Sequence, residues 1–485
     1  MDAVSEYSRE KGVMDEVNDI PVDLKLLNNE EIKNIIDKQA ELGANQGLSI
    51  DNTEDELGDD LDVEISDSND TLSRDENINN EEDTEETVNY EKKIRTYFAR
   101  ILFYSFLTND KIISLSQVVN SIDSKEENKR IARNLGLSNK ILKMLNENMN
   151  AFKLSQLDYK IRNINQLAQD ISMEPIERAI VAMHKFKKLS QSEIVTPNNI
   201  CKRMIQLINK EKLKNICKNN GKFLDIASKM GEFTLAIYEV LIKLDIDKDK
   251  INNIIYSIPT SSVAYEFTRK IYEILGLNIE NIATLFNTYD LLDVVDENDN
   301  IDYGKIRRYI SQNKKFSEIE LKNNIFYEEG DDKMKFDVIV GNPPYQENVS
   351  SSNSNASLGK QLFPWFIISV IELKPQYSTL ITPSRWFTGD AQDKSFVKLR
   401  EYIKANNHFS KIYNYKDEKE VFDNVEIKGG INYFLYEKDY IDKVQFVNCH
   451  RGKNEITYRN LFEDGMDIII NNGEDYQILQ KIKKV

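Results

Sequence analysis

Residues Phe336-Asp337-Val338-Ile339-Val340-Gly341-Asn342-Pro343-Pro344-Tyr345 constrain this chain more than any other stretch. A short run rich in β-branched residues ends in a glycine, an amide, two prolines and an aromatic ring. Valine and isoleucine favour an extended, buried strand, and Gly341 lets the backbone leave it sharply. Neither Pro343 nor Pro344 can continue a ladder, so the turn is stiff and Asn342 is held at the strand's carboxyl end. Open α/β sheets place their ligand sites at that end.

Such a corner suits attack by a planar, weakly basic nitrogen. The exocyclic amino group of adenine or cytosine delocalises its lone pair into the ring and is a poor nucleophile. Two acceptors on its hydrogens, the Asn342 side-chain carbonyl and a proline backbone carbonyl, would draw it toward a tetrahedral shape. No strong base is needed, because the work is positioning and electrostatics. Tyr345 offers a face for a flipped-out base, a stacking contact worth about 1–3 kcal/mol.

Upstream, Gly221–Phe233 reads as strand and tight turn, followed by a helix through Thr234–Ile242. A turn of this kind brings backbone N–H groups and an acidic residue to a ligand at the strand's end. Ile254–Pro259 and the helical stretch Ser262–Leu275 form a second β-α unit, and Ile282–Asp290 reads as a third strand ending in an acid. Earlier still, Thr196 is placed to cap a helix with Pro197 at its first position. Downstream come a serine- and asparagine-rich loop over Gln346–Gly359, an apolar helix opening at Leu362–Phe366, and a strand over Tyr377–Phe387 stopped by proline. A glycine-turn hairpin over Val421–Tyr436 follows, and Trp365 and Trp386 read as core anchors.

Asn-Pro-Pro-Tyr after an apolar strand (an NPPY motif) resembles the catalytic corner of S-adenosylmethionine-dependent amino methyltransferases, chiefly adenine-N6 DNA methyltransferases. The Thr-Pro pair, glycine loop, two β-α units, catalytic corner and closing hairpin follow that family's gamma-type order across residues 190–440. Within it, the chain resembles the methylase module of large, type IIG-like restriction-modification enzymes. The resemblance implies an α/β fold: a Rossmann-like, seven-stranded sheet with helices on both faces. It implies S-adenosyl-L-methionine as cofactor and base flipping of the target. The catalytic residues would be Asn342, Pro343, Pro344 and Tyr345. Asp225 would be the leading acid of the glycine loop, with Ala227, Gly231 as its last glycine and Phe233 at the aromatic position. Thr196 and Pro197 would contact the methionine end of the cofactor, and Asp290 its adenine amino group. The chain departs from the pattern twice: Lys229 stands where the first glycine is usual, and Pro259 where many relatives carry an acid for the ribose.

At 485 residues the chain has room for several domains. The expected division is an acidic, largely disordered segment over 1–90, a helical connector over 91–185, a methyltransferase domain over 186–440, and the start of a truncated target-recognition region over 441–485. The net charge of −17 is local: residues 51–90 hold 17 acidic residues against one arginine, leaving the rest near −1. That tract is low in apolar residues and reads as a solvated linker. The helix around Lys92–Leu107 is basic and aromatic, and resembles the spacer that precedes the methylase module in large restriction enzymes.

Three scattered cysteines and three scattered histidines give no metal-ligand spacing, so no metal is expected. No secretory signal or long uncharged apolar run occurs, which fits a cytoplasmic, nucleoid-associated setting without membrane contact. No phosphate-loop signature and no clear nuclease cluster occur either, so a motor or nuclease would come from elsewhere. The expected partners are double-stranded DNA and a separate specificity, motor or nuclease polypeptide. The competing readings are a non-catalytic DNA-binding or assembly fragment of a larger restriction enzyme and, among enzymes, a cytosine-N4 or RNA methyltransferase.

Overall fold

The structure, a computed structural model, describes residues 85–186, 195–312, 314–321, 335–346, 360–422 and 427–482. The acidic tract up to residue 84 and the serine- and asparagine-rich loop after Gln346 lie outside the described residues. Residues 85–90 open the helix Glu85–Leu107. The chain forms two compact units. One holds the helices between Glu85 and Lys185 with Ser261–Lys270; the other holds Thr196–Thr260 and the residues from Ile271 onward.

In the first unit, Ile94, Phe98, Ile101 and Leu102 recur at helical spacing on Glu85–Leu107 and are buried. Tyr97, Phe98, Phe103 and Phe106 are all in the core, so the aromatic residues of this basic helix pack inward. Phe103, Phe106, Phe186 and Phe267 cluster with ring centroids 4.7–6.0 Å apart. The buried Glu266 carboxylate is matched there by Arg130, at 2.9 and 3.1 Å, and by the Asn134 amide at 2.6 Å. A buried carboxylate tolerates its surroundings only with such partners.

The second unit is built on one sheet. Its strands are β1 (Lys222–Ser228), β2 (Ile255–Pro259), β3 (Phe336–Gly341), β4 (Tyr377–Pro383), β5 (Phe409–Tyr415), β6 (Ile431–Glu437), β7 (Val444–His450) and β8 (Lys453–Arg459). Their order is β2-β1-β3-β4-β6-β5-β7-β8. The first four are parallel, β6 runs antiparallel between β4 and β5, β7 is parallel to β5, and β8 antiparallel to β7. Parallel strands joined by helical crossovers must be covered on both faces, and β1 and β3 are accordingly almost continuously buried. Leu224, Ile339, Leu380 and Phe434 pack with Phe363, Phe366 and Leu399 on one side. Those ring and leucine anchors come from the helices Phe363–Glu372 and Ser395–Ala405. Asp337, at the start of β3, fixes the register: its carboxylate accepts from the Lys222 backbone N–H at 3.1 Å and the Gln376 amide at 2.9 Å.

The α/β class is as the sequence implies, but among the described residues the sheet has eight strands rather than seven. The stretch Ile282–Asp290 is not a strand. It makes a single parallel bridge, Ile282 to Ser257, and then turns into the short 3-10 helix Tyr289–Leu291. Side chains take up the backbone groups a ladder would use: Asn281 donates to the Ile255 carbonyl at 3.1 Å, and the Asn287 side chain accepts from the Tyr289 N–H at 2.8 Å. The hairpin also pairs differently. Val421 and Phe422 close a turn on the Glu418 carbonyl, and the partner of β6 is β5. Beyond it, β7 and β8 extend the same sheet. Among the described residues no helix is long and apolar enough to cross a membrane.

Candidate active site at the carboxyl end of the parallel strands

The parallel register fixes which residues meet. Asp225 of β1 lies opposite Val340 of β3, so the chain leaving β1 at Ser228 and the chain leaving β3 at Gly341 emerge from adjacent strands at one end of the sheet. Gly341 permits this closeness. A Cβ there would stand 3.1 Å from the Ile226 Cγ2 and 3.6 Å from an Asp225 carboxylate oxygen.

Asn342 follows immediately and is buried. Its Nδ2 donates to the Thr196 hydroxyl at 3.1 Å, while its Oδ1 is enclosed without a partner. Pro343 and Pro344 are buried too and hold the turn. The Tyr345 ring is half-buried, edge-on to Phe363 at 6.3 Å, and its carbonyl accepts from the Leu362 N–H at 3.0 Å. The Tyr345 hydroxyl has no partner, and burial pushes its pKa up.

On the β1 side, the loop Ser228–Gly231 is braced by its own side chains. The Ser228 hydroxyl accepts from the Gly231 N–H at 3.1 Å, and one Glu232 oxygen accepts from the Met230 N–H at 2.9 Å. Gly231 has φ +76°, where a side chain would be strained, and its carbonyl starts the helix Glu232–Ile242. Asp225 and Glu232 are fully buried carboxylates, each with one oxygen lacking a partner. Burial, and after it repulsion from Glu232, holds the Asp225 carboxyl well above the usual range; the Ala227 N–H at 3.3 Å and the buried Lys229 charge oppose this in part. Two adjacent acids with open lone pairs call for a ligand that brings positive charge or hydroxyl donors.

The other expected residues sort as follows. Ala227 lines the end of β1, and Phe233 is wholly buried in the first turn of the helix. Asp290 is half-buried; one oxygen accepts from the Asn287 N–H at 2.8 Å, and burial raises its pKa. Thr196 is not the helix cap. Pro197 takes that position, its carbonyl accepts from the Ile200 and Cys201 N–H groups, and the helix runs Asn198–Ile205. Because proline occupies the cap, the Thr196 hydroxyl is released to meet Asn342.

Three residues escaped the sequence reading. Glu232 is the second buried acid, signalled only by its place directly after Gly231. Cys201 is fully buried, and both acids act on it electrostatically. Thr288 pins the turn that carries Asp290: its N–H donates to the Pro259 carbonyl at 2.9 Å, and its hydroxyl to the Ile226 carbonyl at 2.9 Å. Removing that hydroxyl leaves the end of β1 with an unmet acceptor. Thr288→Val is therefore expected to cost about 1–3 kcal/mol, read as a lower urea midpoint with an unchanged m-value. No group of three or more potential metal ligands occurs among the described residues.

Residues 245–422 match the family described as Eco57I restriction-modification methylase. The methylase match takes in Asp290 and the Asn342–Tyr345 corner; the glycine loop lies before it. A protein of Mycoplasma pneumoniae, described as an uncharacterized adenine-specific methylase, is 36% identical over 156 residues. That alignment covers 31% of this chain and 35% of the relative, so the chain spans about a third of its relative's length. Among solved structures, the DrdV–DNA complex aligns with TM-score 0.45 and 14% identity over 78% of this chain and 42% of that one. A type I restriction-modification methyltransferase subunit from Streptococcus thermophilus aligns with TM-score 0.41 and 12% identity, over 80% and 88% of the two chains.

Proposed function

We propose that this chain transfers a methyl group from S-adenosylmethionine to the N6 amino group of adenine in double-stranded DNA, as the modification activity of a restriction-modification system. The observation that carries the reading is the buried, unpartnered Asn342 Oδ1 at the carboxyl end of β3, next to the strand that carries Asp225. The family match over residues 245–422 supports it, as does the relative described as adenine-specific.

The two acids fit the cofactor, which carries a sulfonium, an ammonium and ribose hydroxyls to meet their open oxygens. When bound, S-adenosylmethionine supplies an electrophilic methyl on positively charged sulfur. Asp225, Ala227, Gly231 and Phe233 would hold it, with Asp290 on the turn held by Thr288, and Thr196 and Pro197 at the start of the helix Asn198–Ile205. Asn342 Oδ1 and the Pro343 carbonyl each accept a hydrogen from the target amino group. That turns the nitrogen's lone pair out of the ring plane at the position of attack. Pro344 stiffens the turn, and Tyr345 stacks the flipped base. The proton leaves after the bond forms.

DNA is the proposed partner, along with a separate polypeptide that supplies specificity, translocation or cleavage. On this reading residues 91–185 act as a connector and 441–485 contribute to target recognition. Incubation with labelled cofactor and mixed-sequence DNA, followed by nucleoside chromatography, tests the proposal. N6-methyladenine is expected. N4-methylcytosine would move the target to cytosine, and neither product nor cofactor binding would overturn the proposal.

A further inference from the structure

We infer that Thr196 is a positioning residue for the reaction: its hydroxyl holds the Asn342 amide so that Oδ1 is the end left open to the target amino group. The inference rests on the proposed methyl transfer and adds a role to a residue expected only to touch the cofactor.

The hydrogen bond from Asn342 Nδ2 to Thr196 Oγ1, 3.1 Å long, joins residues 146 apart in sequence, and both side chains are buried. An asparagine amide has one acceptor end and one donor end, and the two are nearly the same shape. Only the carbonyl end can accept from an amino group. Here the donor end is engaged by Thr196 and the acceptor end by nothing. Without the hydroxyl, the amide is free to turn about its last bond, and part of the population would present Nδ2 to the substrate.

The anchor itself is rigid. The Thr196 carbonyl lies 3.6 Å from the Cys201 thiol that donates to it, within the first turns of Asn198–Ile205. That helix is in turn clamped to the helix Glu232–Ile242: Asn198 Nδ2 meets one Glu239 oxygen at 2.7 Å, and Lys202 Nζ the other at 3.0 Å. The element that follows the glycine loop thus sets the place of Thr196, and Thr196 sets the amide. Misplacing a positioned group by a fraction of its contact distance is costly to rate even where binding persists.

The test compares Thr196→Val, Thr196→Ala and Thr196→Ser in the full chain. Valine keeps the branched shape without the hydroxyl; serine keeps the hydroxyl. Turnover at saturating cofactor and DNA is expected to fall about tenfold in the valine and alanine variants and to return within about twofold in the serine variant. The cofactor Kd is titrated for each variant, so that a loss of cofactor contact is read apart from a loss of turnover. A raised Kd with saturated turnover unchanged would overturn the inference and leave Thr196 a cofactor contact only. The alanine variant carries the test if valine does not fold. A second readout needs no activity: in chain labelled with nitrogen-15 asparagine, the Asn342 side-chain amide is assigned by its loss in Asn342→Asp. Its protons are expected to exchange slowly in the wild type and faster in the valine or alanine variant; equal rates would overturn the inference. If wild type neither methylates DNA nor binds the cofactor, the proposed function fails, and this second readout still decides whether Thr196 holds the amide.

Discussion

Asn342→Ala is expected to lower methyl transfer to DNA by roughly 10²–10³-fold, the loss that follows removal of one preorganised polar group from a reacting centre. The side chain reaches its position on a stiff two-proline turn at the end of a buried strand, so little else can move in to replace it. The Thr196 hydroxyl would lose its partner, but that group is neutral and small, and the fold should hold. The cofactor Kd is expected to change little, since the two buried acids remain. The measurement is turnover at saturating cofactor beside a binding titration. Loss of both together would place Asn342 in the cofactor site instead of at the target.

Asp225→Asn is expected to do the reverse of most site substitutions: to stabilise the unliganded protein while removing cofactor binding. The native carboxyl is held well above its ordinary range by burial and by Glu232, whereas in the unfolded chain it would ionise at the usual carboxylate pH. A group whose folded pKa is raised contributes stability that is full below the unfolded value and is lost as pH rises through the folded one. At neutral pH the buried acid is therefore a liability, and the neutral amide should recover about 1–2 kcal/mol, of the size seen when strained sites are relieved. A cationic ligand is drawn only to the ionised form, so its affinity for the wild type should weaken as pH falls through the raised pKa. In the asparagine variant binding should drop about a hundredfold and lose that pH dependence. Urea unfolding without ligand, paired with cofactor titration across pH, reads both. A variant less stable than wild type would contradict the account of Asp225 as an only partly compensated acid.

The strands that make the site were legible because their signals are local. Val338–Val340 between Asp337 and Gly341 gives period, burial and termination within six residues, and Leu224–Ile226 does the same before its loop. What the sequence concealed was set by partners far along the chain. Ile282–Phe286 has the composition of a strand, yet it makes a single bridge to β2, and the Asn281 and Thr288 side chains take the Ile255 and Ile226 carbonyls beside it, bonds that are invisible to periodicity. Val421–Ile427 and Ile431–Tyr436 looked like a hairpin because they are adjacent, whereas β6 is flanked by β4 and β5. Thr196 had the right residue type for a helix cap; proline one position later takes that place, and the hydroxyl goes to a strand end 146 residues away. The second acid, Glu232, has no motif value of its own and acquires meaning only when the loop folds it back toward Asp225.

The placement of β6 sets an order of events for a chain emerging from the ribosome. β5 is made first, but its place in the sheet is beyond β6, so it has no strand to dock on until Ile431–Glu437 has followed it out. Through that interval the side of β4 that will pair with β6 carries unpaired backbone groups from Tyr377 to Pro383, next to the strand that ends at the catalytic corner. An open strand edge is a template for wrong pairing with neighbouring chains. A ribosomal pause before residue 437 would prolong that exposure, and slow synonymous codons there should lower soluble yield without altering a single amino acid.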